Sequence, residues 1–114
     1  KLEGDLLILN NQGLKTLNGL GALELVEGNL RLERNSALVS TDGLGMLRNI
    51  GGSCFIQFND NLQNLAGLTN LEKLGGRLGI RANTSLPTQA ATALAEHLIA
   101  GGFSGEFRVE ANQP

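Results

Sequence analysis

Tryptophan and tyrosine are missing from this chain of 114 residues, and cysteine and histidine occur once each. Without indole or phenol rings, a carbohydrate-active enzyme lacks its usual platform for stacking sugars. A lone cysteine, Cys54, rules out an internal disulfide, so cysteine usage gives no information on the redox compartment. It reads as a small buried hydrophobe. The lone histidine, His97, has no second histidine to share a metal or a proton relay, and it reads as a solvated or helix-end residue. Neither a His-Glu-x-x-His nor an Asp-x-Asp-x-Asp-Gly motif is present, and no Gly-x-Gly-x-x-Gly sits between a strand and a helix. No metal and no cofactor is therefore expected. No apolar run reaches the roughly 20 residues that span a bilayer, so this segment is not expected to insert into a membrane. Basic residues are scattered singly in a chain of net charge −2 and pI near 5.3, which argues against nucleic acid. Eleven acids leave a paired-carboxylate hydrolase as a distant alternative.

Glycine, by contrast, is abundant, with 16 residues, and it is periodic. Gly4, Gly28, Gly52 and Gly76 stand 24 residues apart, and Gly105 follows after a unit of 29. Two places behind each comes an apolar residue (Leu6, Leu30, Cys54, Leu78, Phe107) and four places behind another (Ile8, Leu32, Ile56, Ile80, Val109). Seven places behind comes an asparagine: Asn11, Asn35, Asn59, Asn83 and Asn112. Apolar residues also recur at the tenth, sixteenth, nineteenth and twenty-second places, and Thr41 is the exception in the thirteenth-place series Leu17, Thr41, Leu65. A period in this range marks a solenoid whose units bury their apolar residues only by stacking on one another.

The alternation at the second to fourth places reads as a short strand with one face inward. Strands are expected at 5–9, 29–33, 53–57, 77–81 and 106–110, paired in parallel at a spacing of about 4.8 Å. The asparagine closing each strand suits a structural turn, its amide bonding its own turn and the next coil. Glycines at the fifteenth place (Gly19, Gly43, Gly67) and the pairs at 51–52 and 75–76 suit tight corners or positive φ. After Asn83, Pro87 and Thr88 open a helix over about 89–100, and Gly101-Gly102 end it. Ala91, Leu94, Ala95, Leu98 and Ile99 share one face of this helix, which suits a lid on the core, with a partner-binding helix as the alternative.

The string Leu-Glu-Lys-Leu-Gly-Gly-Arg-Leu-Gly-Ile-Arg-Ala-Asn-Thr-Ser-Leu at 71–86, like Leu-Arg-Asn-Ile-Gly-Gly-Ser-Cys-Phe-Ile-Gln-Phe-Asn-Asp-Asn-Leu at 47–62, resembles the receptor L-domain repeat, a relative of leucine-rich repeats. The resemblance covers nearly the whole chain. It implies a right-handed, single-chain parallel β-solenoid, mainly β with one helix near the C-terminus, used outside the cell or at its surface to bind other molecules without chemistry. The lone cysteine departs from this family, whose members often carry disulfides.

One domain, 1–114, is expected, with coils starting near 4, 28, 52 and 76 and a final strand near 105. Subtracting one period from Val26 and Gly28 lands on Leu2 and Gly4, so Lys1-Leu2-Glu3-Gly4 reads as the tail of a coil and the chain as a fragment of a longer array. Leu7 and Leu9 point outward by parity where later coils carry mostly polar residues, which makes them candidates for self-association, as in a homodimer through the N-terminal coil. On the same outward face the third-place column runs Leu7, Arg31, Phe55, Gly79, Arg108. A phenylalanine beside arginine has the composition of a contact hot spot, so Arg31 and Phe55, with Arg81 diagonally further along, are the candidate partner-binding residues. The favoured reading is a non-enzymatic module binding a protein or peptide. The alternative is a structural or self-association repeat of a larger surface protein.

Overall fold

The computed structural model of the chain describes residues 1–110 and Asn112, so the expected domain limit at 114 lies outside the described residues. The glycine-led units are stacked coils of a β-solenoid. Strands β1 (Leu6–Leu9), β3 (Leu30–Glu33), β5 (Cys54–Gln57), β7 (Leu78–Arg81) and β8 (Phe107–Glu110) form one five-stranded sheet in that order. All four pairings are parallel, and Leu6, Leu30, Cys54, Leu78 and Phe107 stand in one row. Each strand starts one residue later than its expected span. The residue before it is held from the preceding coil by a side chain: Asn29 N–H donates to Asp5 at 2.7 Å, Ser53 N–H to Asn29 at 2.7 Å and Arg77 N–H to Ser53 at 2.9 Å.

A second sheet, with no counterpart in the sequence reading, runs along another edge of the coils through β2 (Leu25–Val26), β4 (Asn49–Ile50) and β6 (Lys73–Leu74). Leu2 bridges to Val26 in parallel, the position that one-period subtraction assigns to it. Short 3-10 turns at Asp42–Leu44 and Ala66–Leu68 make a third side.

The columns of the middle coils are fully buried: Leu32, Ile56 and Ile80 behind the main sheet, Leu38, Leu62 and Leu86 after the asparagine turn, and Leu44 and Leu68 at the 3-10 corner. Thr41 is tolerated among them because its Oγ1 accepts the Gly67 N–H at 3.2 Å. The corner glycines serve close approach. A Cβ on Gly67 would lie 1.6 Å from the Thr41 carbonyl oxygen, so a side chain there would force two coils apart. Positive φ, expected at such glycines, occurs among these corner glycines only at Gly19; the other described residues that show it are Gly102 after the helix and the sixth place of the first four coils, Asn10, Arg34, Phe58 and Ala82.

The asparagines form one continuous ladder. Asn35 donates its backbone N–H and its Nδ2 to Asn59 Oδ1 at 3.1 and 3.2 Å, and Asn59 does the same to Asn83 at 3.1 and 3.0 Å. Each Nδ2 also donates backwards, Asn59 to the Leu32 carbonyl and Asn83 to that of Ile56, both at 2.9 Å. The expected bond from amide to its own turn is replaced by bonds to both neighbouring coils.

Helix α1 (Thr88–Ala100) follows Pro87 at its N-cap and ends at the Gly101 cap, before Gly102, whose φ is 110°. Ala91, Leu94, Ala95 and Leu98 pack on the core, but Ile99 is exposed, because it lies at the rim of that face. The helix covers the corner side of the last full coil and leaves the end of the sheet open. Phe107, expected inward, is 52% exposed, since among the described residues no further strand pairs with β8.

Candidate functional site

Strand alternation turns the third and fifth places of every coil out of the main sheet. Pairing aligns Leu7, Arg31, Phe55, Gly79 and Arg108 in one outward row and Leu9, Glu33, Gln57, Arg81 and Glu110 in the next. The Arg31 guanidinium lies over the Phe55 ring, 4.6 Å from its centre, while its Nη1 donates to Glu33 Oε2 at 2.8 Å. On the next coil Gly79 leaves room for the same ring, since a Cβ there would stand 2.9 Å from Phe55 Cδ1. Phe55 is thus half-buried between a cation and bare backbone, and only part of its surface is free for a partner.

Beside Gly79 the sheet has a depression of about 510 Å³, lined by Phe55, Gln57, Arg77, Arg81, Glu106 and Arg108 among others. Arg81 and Phe55 therefore border one hollow from adjacent coils. The arginines here are paired: Arg77 with Glu106 at 3.5 Å, and Arg81 and Arg108 with Glu110 at 2.9 and 3.9 Å. The short Arg81 Nε contact is an ion pair without an aligned hydrogen bond, so that buried N–H is left over.

Three residues further along the same two coils stands a pair that sequence reasoning missed. Arg34 lies over the Phe58 ring, again 4.6 Å from its centre. Simple alternation would turn the sixth place inward, but φ values of 59° and 60° end the strand there, leaving Arg34 exposed and Phe58 36% exposed. The signal was an arginine at a nominally buried position, since a core cannot hold an unpaired charge.

Leu7 and Leu9, the candidates for self-association, are 51% and 38% exposed on β1, whose other edge has no partner strand among the described residues. Behind the sheet, Cys54 is fully buried, and burial pushes its thiol up to about 12; such a thiol stays protonated and unreactive near neutral pH. His97 stands in the last turn of α1 with Nε2 3.0 Å from the Leu71 carbonyl, tying the helix to the third coil.

Among the described residues no cluster of three or more His, Cys, Asp or Glu is placed to hold a metal ion, and no helix is long and apolar enough to cross a membrane. No known family model matches this chain, and neither do curated proteins or solved structures.

Proposed function

We propose that this solenoid is a non-enzymatic interaction module that binds a protein or peptide on the outer face of its main sheet. The observation that carries this reading is the Arg31–Phe55 stack, a rigid guanidinium on an aromatic ring at 4.6 Å in the middle of that face. Such a stack contributes about 0.5–1 kcal/mol where exposed and more when a partner excludes water from it, and Arg and aromatic residues dominate contact energies. The resemblance to receptor L-domain repeats supports placement outside the cell or at its surface.

The test is the double substitution Arg31→Ala with Phe55→Ala. The ring is already partly buried beside Gly79, so a stability loss of about 1 kcal/mol is expected, small beside that of a core deletion. Binding to proteins captured from the native cell surface should fall sharply for the folded variant. Unchanged binding would move the site to the loops or to α1.

A second reading, self-association through the first coil, is favoured by exposed Leu7 and Leu9 on β1, one edge of which no strand among the described residues covers. Unpaired edges with apolar side chains invite strand addition. On this reading light scattering at high micromolar concentration gives a dimer mass, and Leu7→Lys with Leu9→Lys returns it to the monomer. A monomer mass for the unaltered chain counts against it.

A further inference from the structure

Of the six arginines, Arg31, Arg48, Arg77, Arg81 and Arg108 each have a carboxylate within 4.0 Å. Arg34 has none among the described residues, and its guanidinium lies over the Phe58 ring. A guanidinium held over a ring with no carboxylate beside it keeps the donors of its fork available, and that fork matches the two oxygens of a carboxylate. Local backbone preference does not account for this pair. Both residues occupy the left-handed region, at φ 59° and 60°, which asparagine enters with less strain than arginine or phenylalanine. The first coil has Asn10 at the same place.

We infer that Arg34 on Phe58 is the docking point for an acidic side chain of an extended peptide segment in a protein partner. The hollow beside the pair, about 350 Å³, is lined by Asn10, Gln12, Arg34, Ser36, Phe58 and Asp60, so amide and hydroxyl groups are at hand for the peptide backbone. Asp60 has no basic group within 4.0 Å among the described residues, and its charge opposes a second acid. The site therefore takes one carboxylate and disfavours a polyanion. Arg34 and Phe58 follow Arg31 and Phe55 by three residues each, about 10 Å along extended chain. A strand-like segment with one acid and an apolar residue about three positions away reaches both pairs. The inference rests on the reading of the outer face as the contact surface and adds the chemistry of the partner.

The experiment is selection of a random heptapeptide library on the full chain, followed by affinity measurement of the enriched peptides. The expected result is enrichment of Asp or Glu at one position, with replacement by the amide costing about tenfold or more in affinity. Arg34→Ala should abolish that acid preference, and Arg34→Lys should weaken binding because it keeps charge without the fork. Asp60→Asn should strengthen binding. Arg34→Asn with Phe58→Asn should lose the peptide while raising the melting temperature by a few degrees, which separates lost binding from lost folding. Selected peptides without an acid, or binding unchanged by Arg34→Ala, overturn the inference. If the peptides depend on Arg31 and Phe55 alone, the outer-face reading survives and the inference falls. Equal competition by a single-stranded oligothymidylate overturns it in favour of a phosphate site, and the absence of any binding peptide sinks both readings.

Discussion

Asn59→Ala is expected to cost about 2–6 kcal/mol, although it removes only a small polar side chain. Asn59 is fully buried, and its Oδ1 is the acceptor for both the backbone N–H and the Nδ2 of Asn35. Alanine orphans both donors in a site that water does not reach, at roughly 1–3 kcal/mol each. A urea melt of the variant beside Asn11→Ala tests this. Asn11 is only half-buried, and its Oδ1 accepts from no donor among the described residues, so its loss should cost much less. Equal losses at the two positions would mean that each asparagine serves its own turn and the ladder carries nothing.

Ile56→Ala should cost about 2–5 kcal/mol by the same measurement, through lost transfer energy and an unfilled cavity. Ile56 is fully buried between Leu32 and Ile80 in successive coils, so the void adjoins two interfaces of a stack in which each coil is stabilised only by its neighbours. Relaxation into the gap would have to move β5 against both adjacent strands. A loss below about 1 kcal/mol would mean that the column is not close-packed.

The spacing of glycine, alternating apolar residues and asparagine made the stacked parallel sheet legible, because each of those residue types has one plausible place in a coil. The positions of Arg31, Phe55 and Arg81 on one face followed from alternation alone. Features that arise between coils did not. That Phe55 is seated on the backbone of Gly79 depends on two residues 24 apart, and the second sheet has strands of two residues, too short to show a period. The sixth-place column holds Asn10, Arg34, Phe58 and Ala82, four residue types that share nothing in sequence except the left-handed backbone imposed on them. The exposure of Phe107 was hidden for another reason: burial at the end of a stack is decided by what lies next to it.

The unit between Gly76 and Gly105 is five residues longer than those before it, yet β7 and β8 pair in the same register and Asn83 still donates to Asn112. The added length is taken up as α1, which packs along the 3-10 corner of the third coil and against β8. A corner that accepts a 13-residue helix without disturbing ladder or strand is a natural grafting port. Inserts of variable length can enter there, whereas a single residue gained between glycine and asparagine would reverse the strand's inward and outward faces.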